Sequence, residues 1–218
     1  MTDAVAQSPV RIARVMMPEK GQYSIRCAEG FAAGRGVRVV VNLDYGLDIA
    51  ELRDVGDYDP ARDGPRPPGF TLQRLATPED LIADAANESR ARVLRDAFRD
   101  AAKAIVPDIR VPYARLSLGG TRLFVRYVCE RQRPDFKHVI ADMRKRHGVT
   151  VSAWQMGLRD EVRVMGALGP CGRACCCATW QQKYPGGHVS EELKGQNPAA
   201  LNGACGRFKC CLAFERDD

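Results

Sequence analysis

The sequence predicts an α+β protein: a small N-terminal β-barrel or meander, a long linking helix, then a ββαβ ferredoxin-like sandwich carrying a cysteine-rich loop region. Three observations predict it. Short β-branched runs punctuated by Gly30, Gly34, Gly36 and Gly46 fill residues 10–55, the pattern of brief strands joined by turns. Apolar residues then recur at three- and four-residue steps from Leu81 to Ile105, the period of an amphipathic helix. Beyond it, two strand-like runs, a helical run and a further strand-like run follow in order, the start of a two-layer sandwich.

The first strands are read at Val10–Met17, Tyr23–Cys27, Val37–Leu43 and Leu47–Leu52. The stretch GDYDPARDGPRPPGF, residues 56–70, holds four prolines and three glycines and reads as a linker. It divides the chain into a small β domain, 1–70, and an α+β domain, 71–218. Thr77 then suits an N-cap, Pro78 the first helical position and Asp80 the acid of a capping box. Leu81, Ile82, Ala85, Ala86, Val93, Leu94, Ala97, Phe98, Ala101, Ala102 and Ile105 make the apolar face, and the helix stops before Pro107. Tyr113–Leu118 and Thr121–Cys129 flank Gly119-Gly120 as a hairpin. Pro134–His147 reads as a helix capped by Gly148, Val149–Met156 as a strand, and Val162–Met165 as one more. Around Cys175–Tyr184 and Cys210–Phe214 only single helical turns are expected.

Composition narrows the function classes. No apolar run approaches the roughly 18 residues that a membrane helix needs, and residues 1–10 lack the basic start and apolar core of a secretory signal. A cytoplasmic protein without a membrane span is expected. The net charge is +6, and the surplus sits in residues 71–148, where 16 basic residues meet 10 acidic ones. A basic excess of this size is compatible with RNA but is more often solvated surface. No catalytic constellation stands out. His138, His147 and His188 are scattered, and GFAAGRG lacks the lysine-hydroxyl ending of a phosphate loop. Asp160 and Glu161 read as surface charges or arginine partners.

The cysteines carry the signal. Seven of the nine fall between Cys171 and Cys211; Cys27 and Cys129 stand apart and read as small packing residues. A reducing compartment disfavours structural disulfides, so clustered cysteines there point to metal or redox chemistry. The cluster is written twice. One copy is Cys171-Gly172-Arg173-Ala174-Cys175-Cys176-Cys177, the other Cys205-Gly206-Arg207-Phe208-Lys209-Cys210-Cys211. Aligned on the arginines, Cys176-Cys177 matches Cys210-Cys211, and Cys175 is an extra thiol. A soft metal needs several thiolates converging on a point, and two copies supply four. The glycines permit a sharp turn, and the arginines offset thiolate charge. A four-iron iron–sulfur cluster tolerates irregular spacing. Structural zinc prefers tight C-x₂₋₄-C knuckles and stands as the alternative. A dithiol redox site would show C-x-x-C. His188 ranks below the cysteines as a ligand.

The runs GLRDEVRVMGALGPCGRACCC and GQNPAALNGACGRFKCCLAFE resemble the bacterial YaaT/RicT family, whose conserved region also forms the C-terminus of a yeast polymerase-suppressor protein. The resemblance is carried by Gly157, Arg159, Asp160, Glu161, Gly169, Pro170, Cys171, Gly172 and Arg173. Gln196, Asn197, Gly203, Cys205, Gly206, Arg207, Cys210, Cys211, Leu212, Phe214 and Glu215 continue it. It is specific through residues 111–215 and looser before them. Cys175 departs from the pattern, and the chain stops three residues after Glu215. The resemblance implies a non-enzymatic regulatory adaptor acting with two small helical partners, RicA and RicF. It links that complex to iron–sulfur clusters and RNase Y-dependent mRNA processing. The expected ligands are Cys171, Cys176, Cys205 and Cys211, with Cys177 and Cys210 as alternates. Gly172, Arg173, Gly206 and Arg207 are expected to surround them. Two other classes stay open: a nucleic-acid-binding protein with structural zinc, and a thiol redox protein.

Overall fold

The computed structural model describes residues 10–19, 21–129, 134–181, 183–185 and 201–214. The chain is α+β, with strands in two sheets and four α-helices among these residues. It divides into two compact units. The first holds residues 1–94, 115–124 and 144–152; the second holds 95–114, 125–143 and 153–218.

The first unit is built on β1 (Arg11–Met16), β2 (Gln22–Arg26), β3 (Arg38–Leu43), β4 (Gly46–Asp57) and β5 (Thr71–Leu75). Their pairings run in a ring, β1-β2-β5-β3-β4, with β4 returning to β1. The β2–β5 link is a single parallel pair, Arg26 with Thr71. β-Branched side chains fill the interior: Ile12, Val15, Ile25, Val39, Val40, Val41 and Ile49 are fully buried. β4 outruns the expected Leu47–Leu52 by five residues, and its register with β1 slips between Arg14 and Val15, a bulge. The strand set also takes in β5, beyond the proline-rich stretch.

That stretch is not all linker. Asp59 caps a short helix, α1 (Pro60–Asp63), by accepting from the Ala61 N–H at 2.9 Å. Proline at a first helical position starts a helix as readily as it ends one. Asp63 then meets Arg14, with Nε and Nη2 donating to its two oxygens at 2.7 Å each, while Ser24 Oγ donates at 2.6 Å. Arg14 Nη1 also donates to Asp54 at 3.0 Å. Both Arg14 and Asp63 are buried. A second buried arginine, Arg115, donates to Asp48 at 2.7 and 2.8 Å and to Asp84 at 2.7 Å.

α2 (Pro78–Ala102) opens as read: Thr77 Oγ1 accepts from the Asp80 N–H at 3.3 Å, and Asp80 accepts from the Thr77 N–H at 2.8 Å. Its buried stripe is narrower than expected. Ala91, Leu94, Phe98 and Ala102 are inside, whereas Leu81, Ile82 and Val93 are exposed. The helix is about 38 Å long, so much of its apolar pattern finds no core to enter. Arg92 pairs with Glu88 and Arg99 with Asp96 and Asp100, while Arg90 donates to the carbonyls of Gly120 and His147.

β6 (Arg110–Leu116), β7 (Arg122–Val128) and β8 (Thr150–Gln155) form the second sheet in that order, with α3 (Lys137–His147) between β7 and β8. Gly148, at φ +67°, caps α3 as expected. β8 lies directly beside β7, so the described strands lack the interposed strand of a ferredoxin-like split βαβ unit. Phe136 packs edge-on against Phe98 and Tyr127 at 5.5 and 5.2 Å. The strand expected at Val162–Met165 is instead the end of a helix, α4 (Leu158–Met165). Extended Gly157 opens it, Asp160 and Glu161 suit its first turn, and left-handed Gly166 closes it. The acids act as arginine partners: Glu161 takes a two-point fork from Arg110 at 2.8 and 2.9 Å, and Asp160 pairs with Arg163 at 3.1 Å.

The Arg14 fork holds the Asp63 carboxyl well below its ordinary value of 3.8. A carboxyl depressed on folding stabilises the fold above its unfolded pKa and loses that contribution as pH falls through the folded one. Chemical denaturation should therefore show a stability loss beginning below about pH 4 that Asp63→Asn lacks. At neutral pH Asp63→Ala should cost about 3 kcal/mol, the lower end for a broken buried pair, since Asp54 still faces Arg14.

Candidate metal centre

The two cysteine motifs fold into the same loop, 34 positions apart. In the first, Gly169 N–H donates to Arg173 O at 2.8 Å, Gly172 N–H to Gly169 O at 2.9 Å and Cys175 N–H to Ala167 O at 3.1 Å. In the second, Gly203 N–H donates to Arg207 O at 2.8 Å, Gly206 N–H to Gly203 O at 2.9 Å and Lys209 N–H to Leu201 O at 2.9 Å. Each loop is pinned by an isolated β-bridge, Leu168 with Ala174 and Asn202 with Phe208. Each ends in a single 3₁₀ turn, Cys176–Ala178 and Cys210–Ala213. Both turns are entered with nearly equal backbone angles, φ −54° and ψ 134° at Cys175, φ −54° and ψ 131° at Lys209.

The sequence dictates this loop at one residue per copy. Gly172 and Gly206 sit at φ +75° and +73°, in the left-handed region that a Cβ disfavours. The reversal there places the leading cysteine and the cysteine pair at the two ends of one turn. The copies also face each other. Trp180 and Phe214 hold equivalent positions, and their rings meet at 5.5 Å. Cys176 and Cys210 are equivalent too, and each lies within electrostatic reach of the other. Contact between equivalent residues is the mark of a local two-fold arrangement.

All seven clustered cysteines line one cavity of about 370 Å³, together with Arg159, Val162, Leu201 and Lys209. Cys175 and Cys177 are buried, Cys176, Cys205 and Cys210 half-buried, and Cys171 and Cys211 exposed. Burial pushes the Cys175, Cys176 and Cys177 thiols up from their ordinary range, and neighbouring thiols add to the rise. At Cys177 the Arg159 guanidinium pulls the other way. Among the described residues no three cysteine, histidine or acidic side chains form a ready-made metal-holding group. The sulfurs share a cavity without already converging on a point.

Of the residues expected around the sulfurs, Gly172 and Gly206 set the turns, but Arg173 and Arg207 do not line the cavity. Their side chains are exposed; it is their carbonyl oxygens that each loop uses. The charged residue that sequence reading missed is Arg159, 7% exposed on α4 and part of the cavity wall. It sits in the GLRDE run of the resemblance, but no local pattern marks it as a cavity residue. His188, Gln196, Asn197 and Glu215 lie outside the described residues. Cys27 and Cys129 stay apart from the cluster, and Cys129 is buried as a packing residue.

Two comparisons bear on this arrangement. The family model described as "PSP1-like protein, third domain" matches residues 195–218, which include the second loop. The chain is 24% identical over 188 residues to the stage 0 sporulation protein YaaT of Bacillus subtilis (strain 168), a match covering 84% of this chain and 65% of that protein. The chain thus spans just under two-thirds of the relative's length. No solved structure matches the chain. Together with the doubled Cys-Gly-Arg loop, these matches make the chain similar to YaaT along most of its length and to a PSP1-like third domain at residues 195–218.

Proposed function

We propose that the chain is a non-enzymatic regulatory adaptor of the cytoplasm whose paired loops hold a cysteine-bound metal centre, an iron–sulfur cluster in preference to zinc. The observation that carries the reading is the gathering of seven thiols around one cavity by two equivalent loops. Soft donors of one type favour iron–sulfur, zinc or copper over hard cations. The local two-fold favours ligands taken as equivalent pairs. Cys171 and Cys205 make one pair. Cys176 and Cys210 make the other, because those equivalents face each other, and Cys177 with Cys211 is the alternate. When bound, such a centre would cross-link the two loops and supply an electron-transfer or structural clasp. The protein's own part is to present the thiols, exclude solvent from the deeper ones and balance their charge. By family resemblance its partners are small helical proteins like RicA and RicF, and its output is RNase Y-dependent mRNA processing. Among the described residues no helix is long and apolar enough to cross a membrane.

The reading is tested by anaerobic purification with metal and sulfide analysis. Iron with matching sulfide supports it; a metal-free protein overturns it, and zinc alone turns the centre into a structural clasp. Equivalent positions should respond alike. Cys171→Ser and Cys205→Ser should each abolish metal retention, while Cys211→Ser should keep more than half. Gly172→Ala and Gly206→Ala should each strain a left-handed turn by about 1 kcal/mol and loosen metal binding to matching extents in a chelator competition.

A second reading is favoured by one observation. α3 closes on Arg144, Lys145, Arg146 and His147, four basic residues in its last turn. If the chain binds RNA, α3 is a candidate site. Arg144→Glu with Lys145→Glu should then weaken oligoribonucleotide binding for every sequence and flatten its salt dependence by about two units of slope. Unchanged binding would remove α3 from the interface.

A further inference from the structure

We infer that Arg159 is the positioning and charge-balancing residue of the thiol cavity, an inference that rests on the metal reading above. Converging thiolates raise an electrostatic difficulty. Four of them around a divalent cation carry a net charge of −2, and a half-buried site cannot leave that charge unmet. The doubled arginines of the motif do not meet it, because Arg173 and Arg207 lie outside the cavity wall. Two cations do line it, Arg159 and Lys209. Lys209 is half-buried on the second loop, whereas Arg159 is buried on a helix.

Arg159 also holds the first loop in place. Its Nη2 donates to the carbonyl oxygen of Gln181, and to that of Lys183 at 3.3 Å. Both follow the Cys176–Ala178 turn. Its guanidinium lies 5.7 Å from the centre of the Tyr184 ring, and Arg207 of the second loop lies 5.3 Å from the same ring. One side chain therefore lines the thiol cavity, holds the exit of the first loop by hydrogen bonds and meets the second loop through Tyr184.

Charge and clamp can be separated in the full 218-residue chain. Arg159→Lys keeps the charge and loses the fork; Arg159→Gln keeps an amide donor and loses the charge. The reduced, metal-free chain is titrated anaerobically with cadmium against a chelator, following thiolate-to-cadmium charge-transfer absorption. Cadmium is read directly, with no assay of adaptor activity. Arg159→Gln should bind about tenfold more weakly, the lower range for residues that support a metal's ligands, and Arg159→Lys should stay close to the parent. Loss of affinity that is equal in both variants makes Arg159 a clamp only and overturns the charge role. Parent-like affinity in Arg159→Gln overturns the inference while the metal reading stands. Failure of the parent chain to bind cadmium overturns the metal reading and the inference with it. Unfolding of both variants by near-ultraviolet circular dichroism assigns Arg159 to the fold and overturns it too.

Discussion

The cysteine region depends on one backbone reversal used twice, the left-handed glycine that follows each leading cysteine. Without it, Cys171 and the Cys176-Cys177 pair would lie along an extended chain, too far apart for one cavity. With it, the loop closes on its own carbonyls, and every sulfur reaches the cavity from a short turn. One copy would leave its apolar side open. The second copy meets it: Trp180 contacts Phe214 although both rings stay exposed, and Leu201 and Leu212 join the cavity wall. Each copy supplies what the other cannot make alone, which is the physical sense of a duplicated motif so close in sequence.

Buried arginines recur wherever an irregular segment must be fixed. Arg14 fastens α1, Arg115 joins β4 to α2, and Arg159 holds the exit of the first cysteine loop. The reason is common to all three. A guanidinium offers several donors in a rigid plane and keeps its charge at any working pH, so it can satisfy carbonyl and carboxylate acceptors that loops leave unpaired. A lysine would deliver one point charge on a flexible stem, with no pre-organised fork. The partners differ in sign of consequence. Arg14 and Arg115 face carboxylates and are neutralised by them. Arg159 faces backbone carbonyls and an aromatic ring, and it shares the cavity wall with the thiols.

Much of this was legible in the sequence, for reasons that differ by element. The valines of β3 and the Thr77-Pro78-Asp80 start of α2 were read correctly because each carries a local signal that packing does not override. α4 was misread because Val162–Met165 looks β-branched when its helical beginning at Leu158 is left out. α1 was hidden because Pro60 reads equally as a breaker and a starter. Leu81 and Ile82 kept helical spacing yet stayed exposed, since periodicity reports a face and not what covers it. At the site, the gathering of thiols followed from the doubled motif. The roles of Arg173 and Arg207 did not, because a carbonyl contribution leaves no trace in side-chain identity. Arg159 was out of reach for the opposite reason: its importance comes from tertiary placement, not from its neighbours in sequence.

The local two-fold breaks at one position, and the break explains the extra cysteine. Cys175 and Lys209 are backbone equivalents, with matching angles and matching N–H bonds. Both line the cavity, but one side presents a thiol and the other an ammonium group. Cys175 is buried, and burial raises its thiol before Cys177, Cys176, Cys205 and Cys171 add to the rise. Cys175 shares that upward push with Cys176 and Cys177. A neutral buried thiol packs as a small apolar group. Its place in the wall is thus that of a filler opposite a cation, and the field across the cavity is unequal from one loop to the other. A centre held on that axis would have two chemically distinct halves although its ligands come from identical turns.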